Sequence, residues 1–148
     1  MREELDRKLC EKYPKIFADR YKPMNETAMC WGFECGDGWY KILDSLCRQI
    51  QHHVDWRQEQ KDKYGRGDGC SQVVADQVKE KFGGLRFYYH GGDDVVDGMV
   101  RMAESWAANT CETCGESGRL RGQGWLYTAC DRHTKPEHLN DEQGIENE

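Results

Sequence analysis

The chain has 148 residues and a formal net charge of −6, enough for one ordinary domain and too short for two independent ones. Leu, Ile, Val and Phe together number only 23, which raises the question of disorder, but five Trp and seven Tyr supply large areas to bury. Five acids and no Lys or Arg lie between Glu137 and Glu148; the remaining body is near neutral, which argues against a protein that coats nucleic acid or a membrane surface by charge alone.

No run of about twenty apolar residues suits a transmembrane helix, and the start, Met1-Arg2-Glu3-Glu4-Leu5-Asp6, lacks the apolar stretch of a signal peptide. A cytoplasmic location and no membrane partner are expected. Eight cysteines would then meet a reducing environment, where metal ligation and plain burial are the expected uses.

Leu5, Leu9 and Tyr13 recur at four-residue spacing and predict an amphipathic helix that ends at Pro14. From Tyr21 to Gly38 turn residues surround Met29, Trp31 and Phe33, predicting a loop or short hairpin that contributes to the core. Asp37 is placed to cap a helix over about 38–60, with Trp39, Ile42, Leu43, Leu46, Ile50 and Val54 on one stripe. Residues 61–69 are polar and glycine-rich and predict an exposed connection. A hairpin is expected near 77–90, turning at Gly83-Gly84, because Leu85 to Tyr89 has the aromatic content of a strand. Asp93 can cap a third helix carrying Val95, Val96, Met99, Val100, Ala103, Trp106 and Ala107.

Cys111 and Cys114 are followed by Gly115, which can adopt the left-handed conformation that folds backbone amides toward sulfur. After fifteen intervening residues Cys114 is followed by Cys130 and His133, a second pair with the same gap. Two such pairs predict one tetrahedral Zn2+ ion, and four soft ligands leave no open position for catalysis, so the ion is structural. His138 is a weaker candidate for the fourth ligand. Cys10 and Cys47 sit near apolar helix positions and are expected to be buried; Cys30 and Cys35 are a candidate second metal pair without visible partners; Cys70 is expected to be exposed or half-buried.

The chain therefore reads as α+β: a small helical domain with a β-hairpin over 1–109, a zinc-knuckle module of treble-clef or ribbon-like form over 110–136, and an acidic tail over 137–148 expected to be disordered.

Enzymatic readings fit poorly. A zinc deaminase needs a catalytic Glu two residues after its first ligand and a Pro before its Cys pair, and neither is present. A His-Asn-His nuclease would draw on Asp131, His133, His138 and Asn140, but only eight residues follow Asn140, too few for the helix that would hold a divalent ion. His52, His53 and Asp55 read as helix residues, one His covering the apolar stripe and the other facing water. Asp93 and Asp94 read as capping acids. Between the metal pairs, Arg119, Arg121 and Trp125 are expected on an exposed loop suited to an acidic protein surface, a phosphate or a base. Trp125 could alternatively cover the zinc. With the module's charges nearly balanced, a protein partner is favoured over nucleic acid.

Three stretches carry a resemblance: Cys30-Trp31-Gly32-Phe33-Glu34-Cys35-Gly36-Asp37-Gly38-Trp39, Val78 to Tyr88 with its Phe82-Gly83-Gly84-Leu85 centre, and the two metal pairs with Gly124-Trp125 between them. On these the chain resembles a family of small uncharacterised proteins of tailed bacteriophages. The resemblance implies no activity; it implies an accessory protein, in an infected bacterium, that binds and modulates a host protein such as a defence component.

Overall fold

The computed structural model describes residues 1–140. Helix α1 spans Glu3–Lys12, with Glu3, Glu4 and Asp6 in its first turn and Lys12 in its last, matching the helix dipole at both ends. It stops where Pro14 pushes Tyr13 out of the helical region, as expected. Leu9 and Tyr13 enter the core, and buried Asp6 takes a two-pronged contact from Arg20, Nε to Oδ1 and Nη2 to Oδ2 both at 3.0 Å.

The segment 21–38 is not a hairpin. A 3-10 turn at Ala28–Trp31 leads into a two-residue strand, β1 (Phe33–Glu34). Met29 and Phe33 are buried as expected, but Trp31 is 62% exposed: Gly32, with φ +72°, turns the chain there, so that Phe33 enters the core and the indole before it stays outside.

Helix α2 runs Tyr40–Tyr64, ending four residues later than the sequence suggested. Its stripe, Ile42, Leu43, Leu46, Ile50 and Val54, is buried. Asp37 does not cap it; Asp37 opens a 3-10 turn, Asp37–Trp39, and instead accepts from the Arg2 amide at 2.8 Å. The extra C-terminal turn is polar on all sides and survives through spaced pairs, Lys63 to Glu59 at 2.6 Å and Gln58 to Asp62 at 3.1 Å. Gly65, in the left-handed region, then ends it, its amide and that of Arg66 reaching back to Lys61 and Gln60.

Strands β2 (Val74–Lys81) and β3 (Gly84–His90) form the predicted hairpin, and β1 joins β2 in parallel, Phe33 opposite Val78. The sheet order is β1-β2-β3. The turn falls one residue earlier than expected, on Phe82-Gly83, both at positive φ. Gly84 is taken into the ladder opposite Lys81, and the Glu80 carboxylate accepts from the Gly83 amide at 2.7 Å. Helix α3, Asp94–Ala107, starts as predicted, with Asp93 accepting from the Val96 amide at 3.1 Å. It packs on α2 and β3, closing one apolar core.

The chain continues into a small second sheet, β4 (Arg119–Arg121) against β5 (Tyr127–Ala129), and two 3-10 turns, Asp131–His133 and Pro136–His138. Of the predicted acidic tail, Glu137 lies in the last of these turns, and residues 141–148 lie outside the described part of the chain. Among the described residues no helix is long and apolar enough to cross a membrane.

Candidate metal centre

Gly115 holds φ +80°, as the spacing requires. Its amide donates to the Cys111 carbonyl at 2.9 Å, and the Cys111 amide donates to Glu116 at 2.7 Å, a tight loop that turns both sulfurs to one side. The β4–β5 hairpin returns the chain, and a 3-10 turn presents the second pair: the His133 amide donates to the Cys130 carbonyl at 3.1 Å, reinforced by the Thr134 hydroxyl at 2.7 Å. The Glu112 amide bonds the Thr128 carbonyl at 3.0 Å and ties the two halves together.

The donor atoms of Cys111, Cys114, Cys130 and His133 consequently all lie within 4.8 Å of one another. Cys114 Sγ and Cys130 Sγ are 3.7 Å apart, Cys111 Sγ is 3.7 Å from His133 Nδ1, and Cys130 Sγ is 3.1 Å from the same nitrogen. A disulfide is only about 2 Å long. The edge of a tetrahedron with metal–sulfur bonds of about 2.3 Å is about 3.8 Å, so the spacing fits ligands around one ion.

The electrostatics point the same way. Burial pushes the Cys111 thiol up, but backbone amides of Cys130, Cys114 and Thr113 outweigh it and bring the thiol down to about 6. At Cys114 the Glu116 amide favours the thiolate, yet burial and the adjacent sulfurs of Cys111 and Cys130 leave the thiol raised. One thiolate is already stabilised, and its charge opposes a second; a cation among them removes that conflict.

The module is seated on the body by glycines. Gly36 and Gly38 lie against the backbone of Cys111 and Glu112, where an added Cβ at Gly38 would sit 2.1 Å from the Cys111 oxygen. The Gly38 amide donates to the Glu112 carbonyl at 2.7 Å and the Gly36 amide to the Glu112 carboxylate at 2.9 Å. Trp39, fully buried, donates from Nε1 to the Thr110 carbonyl at 2.9 Å. On the other side, the Thr128 hydroxyl donates to the Gly83 carbonyl at 2.7 Å. The glycines around Asp37 and at the hairpin turn were visible in the sequence as turn signals; their role as a seat for the metal loop was not, because it depends on contacts some 75 residues apart.

The expected partner-binding loop divides. Arg119 and Trp125 are exposed, Trp125 to 77%, so Trp125 does not cover the centre. Arg121 is only 2% exposed: its guanidinium turns inward to the Asp131 carboxylate at 2.5 Å and the Ala129 carbonyl at 3.3 Å. Strand alternation does not separate the two arginines, which lie on the same face of the ribbon; Arg121 is the one that reaches Asp131 and the Ala129 carbonyl at the start of the second ligand pair. His138 is engaged elsewhere, its Nδ1 2.9 Å from the Tyr127 hydroxyl.

Cys10, Cys35 and Cys47 are buried, and burial pushes all three thiols up, Cys10 and Cys35 to about 12. Cys70 is also buried, contrary to expectation. Among the described residues, a second grouping of potential ligands falls within the same 4.8 Å, and it is His53, Cys70 and Asp93, without Cys30 or Cys35. His52 is exposed, whereas His53 is half-buried.

Comparison with protein-family models, with curated proteins and with solved structures finds no match to this chain. Fold and site define an α+β protein with a candidate Cys3His metal centre.

Proposed function

We propose that the centre holds one structural Zn2+ ion in a zinc-knuckle module, and that the chain is an accessory protein that binds another protein without catalysis of its own. Three thiolates and an imidazole fill a tetrahedral zinc ion and leave no position for substrate. The observation that carries the binding reading is an apolar groove of about 360 Å³ between α2 and α3, lined by Ile42, Leu46, Met99, Met102, Ala103 and Trp106. Met102 is 71% exposed, and Gly98 leaves the groove open beside it. Adaptable methionines with an aromatic anchor suit the apolar face of a partner helix. Given the resemblance to tailed-phage proteins, the partner is a bacterial host protein, a defence component being one such target.

The test is affinity capture from bacterial lysate with the wild-type chain and with Met102→Glu and Trp106→Ser chains of unchanged helix content and zinc content. A specific protein retained by the wild type and lost by both variants supports the reading. Capture of nothing specific, or of the same protein by the variants, overturns it.

The alternative is nucleic-acid binding, supported by Trp125 and Phe82, both exposed and lining one cleft, as stacking platforms. Burial of Arg121 removes one of its two cations, and Glu80 lines the same cleft, so it is the second choice. It predicts salt-sensitive binding of single strands that is lost in Trp125→Ala.

A further inference from the structure

We propose that His53, Cys70 and Asp93 form a second metal site, which takes one zinc-type divalent ion through an imidazole nitrogen, a thiolate sulfur and a carboxylate oxygen and leaves a fourth position for water. The three donors come from different elements: His53 from the middle of α2, Cys70 from the connection before β2, and Asp93 from the residue that caps α3. Their ligand atoms fall within 4.8 Å of one another. One nitrogen, one sulfur and one oxygen donor is a set that zinc and cobalt accept, and three protein ligands with an open position is the stoichiometry of a non-structural zinc site.

The loops that deliver these side chains are held independently of any ion. Gly69, with φ +77°, precedes Cys70, and Gly91 and Gly92, with φ +80° and +81°, precede Asp93. The Gly92 amide donates to both the Ser71 carbonyl at 3.0 Å and the Ser71 hydroxyl at 3.1 Å, locking the two loops together. His53 Nε2 is 2.8 Å from Asp93 Oδ2, a distance at which the pair shares a proton. A tetrahedral ion between them needs about 3.3 Å, which a small rotation of either side chain provides. On binding, Cys70 releases its thiol proton to solvent and the neutral imidazole turns its lone pair to the ion.

Two features limit the affinity. Arg57 Nη1 lies 3.7 Å from the same Asp93 oxygen, and the positive end of α3 already draws on that carboxylate through the Val96 amide. With one thiolate in place of three, this site is weaker than the Cys3His centre. Its occupation fastens α2, the connection before β2 and the start of α3 at one point. The proposal stands apart from the protein-docking reading, since none of the three residues lines the α2–α3 groove.

The experiment titrates the full chain, already carrying one equivalent of Zn2+, with Co2+ alone while the visible absorption is recorded. The expected result is one further equivalent with the bands of a tetrahedral ion bearing a single thiolate. Cys70→Ser and His53→Gln each weaken this binding at least tenfold, and Cys30→Ser leaves it unchanged. Two variants guard against one failing to fold, and a rise in the wild type's thermal midpoint on adding Co2+ is an independent readout. Absence of a second equivalent in the wild type, or binding of unchanged strength in both folded variants, overturns the proposal.

Discussion

Between residues 1 and 107 the buried side chains are mostly apolar, with Leu9, Ile16, Met29, Trp39, Leu43, Ile50, Val78 and Leu85 among those most completely enclosed. Between 110 and 138 the buried set shrinks to Cys111 and Ala129 with the polar Thr110, Arg121, Thr128 and Thr134. The first region can hold itself by removing apolar area from water. The second has too little such area, so its order has to come from the four convergent ligands and from its seat on Gly36, Gly38 and Gly83.

The sharpest way to separate the two is to remove the proposed metal. Structural zinc contributes on the order of 10 kcal/mol to the folding of small zinc modules, so a strong chelator is expected to abolish amide hydrogen-exchange protection over 111–138 while residues 42–54 of α2 keep theirs. Loss of both together would mean that the body is not self-sufficient. Trp39→Ala acts on both regions, because the ring fills the core and its nitrogen bonds Thr110; a loss of about 3–5 kcal/mol in denaturant unfolding is expected.

Gly38→Ala tests the seat alone. Its methyl group meets the Cys111 and Glu112 backbone, and a cost of about 1–3 kcal/mol is expected with zinc stoichiometry unchanged. A comparable cost, roughly 1–3 kcal/mol, is expected for Arg121→Ala, which strips Asp131 and Ala129 of a buried donor, whereas Arg119→Ala is expected to stay within about 0.5 kcal/mol. Equal effects of the two arginines would contradict the inward course of Arg121.

Acid probes the body. Burial raises the Asp44 carboxyl, but Lys12 at 2.6 Å and the Tyr13 hydroxyl at 2.5 Å outweigh it and hold it below the usual 3.8. A carboxylate with a depressed folded value stabilises the fold above its unfolded value, and that stabilisation disappears as pH falls through the lower folded one. Wild type is thus expected to exceed Asp44→Asn in thermal midpoint near neutrality, the difference closing below about pH 4. A difference independent of pH would contradict this.

What could be read in advance follows the range of the interactions concerned. The stripe of α2, the Asp93 cap and the short gap within each Cys/His pair are repeats or spacings within a few turns, and local chemistry suffices for them. The end of α2 was missed because Lys61 to Tyr64 are polar and resemble a loop until the contacts of Glu59 with Lys63 are known. The turn falls on Phe82-Gly83, where the Gly83 amide donates to Glu80 and its carbonyl accepts from Thr128, 45 residues away; the second of these contacts has no local signal. Arg121 and the His53, Cys70, Asp93 grouping were hidden for the same reason: nothing in their immediate neighbours says which way the side chains face.

X-ray absorption at the zinc edge, on the purified chain carrying one equivalent of zinc, tests the central claim most directly. The account predicts a four-coordinate shell of three sulfurs at about 2.3 Å and one imidazole nitrogen at about 2.0 Å, lost in Cys114→Ser. A shell made only of nitrogen and oxygen, or a chain that retains no zinc, would contradict it.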